Sequence, residues 1–316
     1  MSNVILSRLS KKLLLNESDL WKFLSSAPHR YKKYRIEKRN GKGFREIAQP
    51  SKELKFVQNT VINNFELFSS LPIHNAAKAY RKNLNIKDNA EAHKSNSYLL
   101  KMDFSNFFPS IRPSDLISHI EKFGKIELNN LDKQVVSKLF FYDKYRNSNL
   151  VLSIGAPTSP YISNTVMYDF DGLVEEFCKK NEIVYTRYAD DLTFSTSKKG
   201  VLFEIPEFIE LALKDIAYPK LSINVDKTVF LSKRNNRHIT GLVVSNEGGV
   251  SIGRKKKRYI KSLVYKFCKN ELEKKEILYL QGYLAFCSGI DKVFVLSLEN
   301  KYGKNNIKLI RSFSEG

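Results

Sequence analysis

The sequence predicts an α+β protein in which short antiparallel strands alternate with amphipathic helices. Three observations carry that prediction. Ile183 to Ser195 alternates apolar and polar residues on either side of Tyr188-Ala189-Asp190-Asp191, the pattern of two short strands meeting at a tight turn. Asn40-Gly41, between Tyr34 and Ala48, marks a second hairpin. Beyond Gly248-Gly249 the chain reads as helix, with apolar residues recurring every three or four positions.

Composition narrows the partners. The 316 residues, 42% of them hydrophobic, suffice for two or three lobes with their own cores. A net charge of +20 points to a polyanion, either nucleic acid or an anionic membrane surface. No run approaches the roughly 18 apolar residues of a spanning helix, and no lipidation motif is visible, so no membrane partner is expected. Val4 to Leu15 is interrupted by charges and reads as a short amphipathic helix, not a signal peptide. Cys178, Cys268 and Cys287 stand apart in apolar contexts, as core thiols of a reducing cytosol would, and the histidines lack metal-ligand spacing. A cytoplasmic protein is expected.

Asn16 is a good N-cap, with Glu17 and Asp19 in the first turn of its helix. The hairpin from Tyr34 to Ala48 carries Arg35, Lys38, Arg39, Lys42 and Arg45. It reads equally as a lining for a triphosphate or template backbone and as a solvated edge kept soluble by charge. Pro50-Ser51 starts a helix with a stripe of Leu54, Val57, Val61, Phe65 and Phe68. Ala76 to Asn96 is polar and irregular, and Asn89-Ala-Glu-Ala-His93 within it reads as a loop or short helix with a satisfied polar cluster.

An apolar strand from Tyr98 runs into Asp103, followed by Phe107-Phe108-Pro109. A strand-end aspartate caps a turn more often than it binds metal, and a pair of phenylalanines is more often core. Pro113 then begins a helix with Leu116, Ile117, Ile120 and Phe123 on one face and Gly124 past its end. Ile154-Gly155-Ala-Pro-Thr-Ser159-Pro160 precedes what reads as one long helix through Ile162, Val166, Phe170, Leu173 and Phe177, with Ser159 as N-cap. Gly155 either lets a flat ligand lie on the backbone or serves a plain turn. A helix around Phe208 to Asp215, a strand from Leu221 to Phe230 containing Lys227, and a strand from Ile239 to Val244 follow. From Arg254 to Lys275 basic residues far outnumber Glu271 and Glu273, above an apolar face of Ile260, Leu263, Val264 and Phe267. That helix suits a nucleic-acid clamp, and a calmodulin-target or membrane-surface helix would look similar.

Asp190 and Asp191, adjacent at a turn between buried strands, repel each other unless something cationic sits beside them. A divalent metal is the obvious cation, and two-metal phosphoryl transfer the obvious chemistry.

In order along the chain these features resemble a reverse transcriptase, specifically those of bacterial retrons, from about Tyr31 to Gly303. Asp103 with Phe107-Phe108-Pro109 resembles the first palm motif, Gly155 to Pro160 the template-side motif, and Tyr188 to Asp191 the palm hairpin. Lys227 stands where the family carries a lysine on the following strand. Asn89-Ala-x-x-His93 is similar to a retron signature, and Ile239-Thr240-Gly241 to the Val-Thr-Gly of those enzymes. Ile154 departs from the usual glutamine before the glycine, which puts fidelity, processivity or template preference in doubt.

The resemblance implies a right-hand polymerase fold: fingers over 1–97, a palm with an antiparallel sheet and an interleaved fingers segment over 98–246, and a helical thumb over 247–316. It implies two Mg2+ ions held by Asp103 and Asp190 with Asp191 in support, and Lys227 as proton donor to pyrophosphate. Arg45 and Lys42 would clamp the deoxynucleoside triphosphate, Phe108 would act as the sugar gate, and Gly155 would lie beside the nascent pair. Asn89, His93, Thr240, Gly241 and the run Arg254, Lys255, Lys256, Lys257 and Arg258 would serve nucleic-acid binding. It further implies a cognate noncoding RNA, priming from the 2′-hydroxyl of an internal guanosine, and a branched RNA–DNA product, msDNA. That product would serve anti-phage defence with an effector protein of the same locus. No spare length for an RNase H domain is expected, so a host RNase H would remove template. Another bacterial reverse transcriptase (group II intron-like or an untemplated defence polymerase) and an RNA-binding scaffold or antitoxin with a vestigial site are the alternatives.

Overall fold

The computed structural model of the chain describes residues 4–38, 41 and 43–314. They fall into two compact units, one within Met1–Tyr80, Lys101–Leu192 and Phe203–Thr228, the other within Arg81–Leu100, Thr193–Leu202 and Val229–Gly316.

The first unit opens with α1 (Val4–Leu13) and α2 (Glu17–Ser26). Asn16 caps α2 as its sequence predicts, accepting from the Asp19 amide at 2.8 Å. Next is the hairpin of β1 (Tyr31–Glu37) and β2 (Phe44–Pro50), antiparallel with Ile36 opposite Arg45. Lys42, and Arg39 and Asn40 of the predicted turn, lie outside the described residues. Ser51 caps α3 (Lys52–Asn64), and α4 (Glu66–Ser69) follows. The predicted stripe from Leu54 to Phe68 is buried throughout. In the second unit, α5 (Ile86–Glu91) forms from the polar segment, closed by a capping box of Asn85 and Asp88.

After β3 (Tyr98–Asp103) come α6 (Phe107–Ser110), α7 (Pro113–Gly124), α8 (Asn130–Phe140) and the antiparallel pair β4 (Phe141–Asp143) and β5 (Leu150–Leu152). The long helix expected after Ser159 is two, α9 (Ser159–Val166) and α10 (Tyr168–Lys180), broken at Met167. The break shifts the phase of the second half. Phe170 and Val174 are buried, while Leu173, expected in the core, is 38% exposed. Thr158, not Ser159, takes the N-cap position, without a side-chain cap bond.

The hairpin of β6 (Val184–Tyr188) and β7 (Asp191–Thr196) leads to α11 (Ile205–Asp215). The strand expected from Leu221 to Phe230 survives only as β8 (Val229–Ser232), and Lys227 ends a 3-10 turn before it. The cause is local: residues 222–224 bond instead to the end of β3, with Ser105 N–H donating to the Ser222 carbonyl at 2.8 Å. The strand expected from Ile239 to Val244 is a tight hairpin of β9 (Arg237–Ile239) and β10 (Leu242–Val244). Thr240 and Gly241 form its turn with φ of +46° and +86°, the two positive values a primed turn requires. A short strand, β11 (Val250–Ser251), interrupts the otherwise helical end and pairs with β10. Then come α12 (Arg254–Cys268), α13 (Lys274–Ile290), α14 (Lys292–Tyr302) and α15 (Lys304–Arg311).

Among the described residues the strands form a four-stranded sheet in the order β6-β7-β3-β8, a three-stranded sheet β11-β10-β9, and the pairs β1-β2 and β4-β5. The division between units runs across β3 and β7. The second unit has its own core, in which Ile260, Leu263 and Val264 of α12 meet Leu280 and Leu284 of α13 and Leu242 of β10. That burial explains α12: its apolar face is taken up by packing, and Arg254, Lys255, Lys256 and Arg258 are left outside. Cys178 and Cys287 are buried free thiols, but Cys268 is exposed, because the last turn of α12 leaves this core. Among the described residues no helix is long and apolar enough to cross a membrane.

Candidate active site

The end of β3 delivers Asp103, and the β6–β7 turn delivers Asp190 and Asp191. Ala189 turns the chain with φ +58°, and its carbonyl accepts from the Arg187 guanidinium at 3.1 Å. Main-chain bonds clip the pieces together. The Phe104 amide donates to the Asp190 carbonyl at 3.1 Å, and the Asn224 amide donates to the Asp103 carbonyl at 2.7 Å. Carboxylates nearly ninety positions apart in sequence therefore share one electrostatic neighbourhood.

That neighbourhood is strained in charge. Burial pushes the Asp190 carboxyl up, and the charge of Asp103 adds to it, while Lys227 and Arg45 oppose. Asp191 is pushed up to about 6, first by burial, then by Asp190, with a hydrogen bond to Asp103 contributing and Lys101 opposing. Lys227 reaches in from its 3-10 turn, Nζ to Asp103 Oδ1 at 2.6 Å. Among the described residues no three His, Cys, Asp or Glu side chains stand in ligating geometry. The donor set still fits a hard divalent cation. Every donor is a carboxylate oxygen, and carboxyls that resist ionising beside one another are those a divalent charge relieves.

Arg45, the predicted clamp residue, is exposed on β2, and its charge opposes the upward shifts of Asp190 and Tyr80. Phe108 is the second residue of the four-residue α6, which follows Asn106, itself left-handed with φ +47°. Phe107 is buried and stacked on Phe104 at 5.5 Å between centroids, whereas Phe108 is only partly buried and lies edge-on to Tyr80. Gly155 has φ +128°, and a Cβ there would meet Ile47 Cγ2 at 2.9 Å and the Ala48 carbonyl oxygen at 3.0 Å. Its neighbour Ile154 accepts the Ala48 amide at 2.8 Å. The glycine thus lets this loop close against β2.

Two elements of the site escaped the sequence reading. Arg187 and Asp171 form a fully buried ion pair, Nη2 to Oδ2 at 2.7 Å and Nε to Oδ1 at 2.8 Å. Tyr185 Oη donates to the same carboxylate, and Arg187 also reaches Asn164 Oδ1 at 3.2 Å. This network fixes the strand that leads into the aspartate turn. The available signal was a charge inside an otherwise buried strand. Tyr80 is the other, and its signal was weaker still, an aromatic residue in a polar segment.

In the second unit the predicted residues divide. Asn89 and His93 are interior: His93 Nδ1 lies 2.7 Å from Ser195 Oγ, which also accepts from Asn96 at 2.8 Å. Thr240 Oγ1 donates to the Ile86 carbonyl at 3.2 Å, tying the β9–β10 turn to α5. These residues brace the unit from within. Arg254, Lys255, Lys256 and Arg258 are exposed on α12, but Lys257 pairs with Asp291 at 2.7 Å and lies over the Phe294 ring.

A protein-family model described as "Reverse transcriptase (RNA-dependent DNA polymerase)" matches residues 36–273. The retron Ec83 reverse transcriptase of Escherichia coli is 42% identical over 90% of this chain and 91% of its own length. The retron Ec86 reverse transcriptase of the same organism is 31% identical over 94% of this chain and 90% of its own. The retron Ec73 reverse transcriptase, also from Escherichia coli, is 35% identical over 87% and 88%.

Proposed function

The chain belongs to the reverse transcriptase family, among the bacterial retron enzymes, and on that premise we propose that it copies a structured noncoding RNA of its own locus into msDNA. It is an RNA-directed DNA polymerase with the right-hand fold of its family. The finer reading is that synthesis starts at the 2′-hydroxyl of an internal guanosine and yields a branched RNA–DNA product. That product serves anti-phage defence with an effector protein of the locus, while a host RNase H removes template, in the cytoplasm. Fingers over 1–97, palm over 98–246 and thumb over 247–316 are part of the same proposal.

The observation that carries it is the cluster of Asp103, Asp190 and Asp191 beside Lys227. Two Mg2+ ions bound there would activate the attacking hydroxyl and neutralise the triphosphate. Asp103 and Asp190 would hold them, with Asp191 in support. Arg45, together with Lys42, binds the triphosphate from the fingers hairpin. Lys227 holds a proton beside Asp103 and passes it to the departing pyrophosphate. Phe108 presents its ring to C2′ and excludes a ribose hydroxyl, and Gly155 keeps the template-side loop close to β2. Arg254, Lys255, Lys256 and Arg258 grip RNA phosphates along α12, with Lys257 fixing the helix. Asn89, His93, Thr240 and Gly241 hold the binding surface in shape from behind.

The test is to express the chain with its locus and extract nucleic acid. A short single-stranded DNA that survives RNase still joined to a ribonucleotide supports the reading. DNA with a free 5′ end, or none, overturns it.

A further inference from the structure

Tyr80 adopts φ +59°, a left-handed conformation that bulky residues rarely take. The residues before it leave it little choice. Arg187 N–H donates to the Ala76 carbonyl and Lys78 N–H to the Arg187 carbonyl, each at 2.8 Å, and Ala77 pairs with Arg187 in parallel. Asn164 Nδ2 then holds the Ala79 carbonyl at 2.8 Å. A single bridge at Ala77 holds the segment along β6, and Tyr80 is where the chain leaves it. Glycine or asparagine would sit there with less strain. A tyrosine does instead, and its side chain does not repay the strain by joining a core, because the residue is 53% exposed.

The ring has a defined neighbour. It meets Phe108 edge-on at 6.5 Å between centroids and 62° between planes. Phe108 in turn lies edge-on to Phe107 at 5.3 Å, and Phe107 stacks on the buried Phe104. A row of rings therefore runs from the core to an exposed end at Tyr80. Its phenol is pushed up by burial and by the charge of Asp190, with Arg45 opposing. Tyr80 thus stands among the sugar gate, a catalytic aspartate and the triphosphate clamp assigned above. Strain held this firmly at such a place marks use of the side chain.

We propose that Tyr80 is a specificity-determining residue whose ring, edge-on to Phe108, forms the second wall of the pocket that seats the sugar of the incoming deoxynucleotide. The proposal rests on the polymerase reading of the site. Tyr80 supports the gate from the side: without it the Phe108 ring tips away from C2′ and a 2′-hydroxyl is admitted.

The experiment is single-nucleotide addition to a primer annealed on an RNA template, with dGTP and rGTP as probes. Tyr80→Gly and Tyr80→Asn remove the ring while suiting the backbone. We expect the KM for dGTP to rise about tenfold with kcat within about threefold, and the preference for dGTP over rGTP to fall about tenfold. Melting temperatures should be no lower than wild type, and Tyr80→Phe, which keeps the ring, should rescue both KM and preference. Wild-type KM and preference in both ring-less variants would overturn the proposal. So would a loss confined to kcat or accompanied by a lower melting temperature. A wild-type chain that adds no dGTP at all would instead overturn the polymerase reading beneath it.

Discussion

Lys227 Nζ lies 2.6 Å from Asp103 Oδ1, so a lysine from the turn before β8 neutralises the carboxylate at the end of β3. Its side chain is 56% exposed, and so free to follow an arriving triphosphate. Exposed pairs contribute roughly 0–1 kcal/mol, so the lysine matters to chemistry more than to stability. Lys227→Gln should slow nucleotide addition by about a hundredfold in single-turnover assays. Urea unfolding should shift by no more than about 1 kcal/mol. A full-rate variant would remove Lys227 from the reaction.

The Asp171–Arg187 pair behaves in the opposite way. Both side chains are inaccessible to solvent, and removing one partner leaves the other charged and buried. Asp171→Asn should cost about 3–5 kcal/mol in urea unfolding. Arg187→Lys should also be destabilising, because a lysine cannot span the carboxylate, Asn164 and the Ala189 carbonyl together. Near-wild-type unfolding of both variants would contradict the role assigned to the network.

Gly155 sets a packing limit on the loop that follows Ile154. Gly155→Ala would press a methyl group against Ile47 and the Ala48 carbonyl at a φ that alanine avoids. A loss of about 2–3 kcal/mol is expected in urea unfolding. No measurable loss would show that β2 can retreat.

His119, buried in α7 beside Phe123 and Tyr218, is pushed down to about 4 by burial. The folded chain therefore keeps it neutral, while the unfolded chain protonates it near pH 6.5. Its contribution is intact above that pH and is lost as pH falls from about 6.5 towards 4. About 2 kcal/mol should disappear between pH 7 and pH 5. His119→Leu should flatten that part of the stability profile measured by thermal unfolding. An unchanged slope would assign it to other groups.

The legible parts of the chain were those with local periodicity. The stripe from Leu54 to Phe68 is buried throughout, and the α12 face buries Ile260, Leu263 and Val264 with Phe267 partly covered. Around Tyr188 the hairpin was legible but its alternation was not kept, since Val184 is exposed while Thr186, Arg187, Thr193 and Ser195 are buried. The aspartates were legible because adjacent carboxylates in a buried hairpin demand a partner. What escaped depends on contacts between distant positions. Nothing near Met167 signals the break between α9 and α10, and the turn at Val225 to Lys227 exists because residues 222–224 are engaged by β3. Lys257 looked like its basic neighbours until Asp291 and Phe294 were brought beneath it. Tyr80 showed only as an aromatic residue in a polar segment, since its strain is imposed by the bridge to β6.

The central claim, that the clustered aspartates carry RNA-directed DNA synthesis, is tested most directly by Asp190→Asn. The change preserves shape and removes a charge that Asp103 opposes, so folding and RNA affinity should hold. Extension of an RNA-templated primer should fall by about a thousandfold or more. Extension at the wild-type rate by a folded, RNA-bound Asp190→Asn chain would contradict the claim.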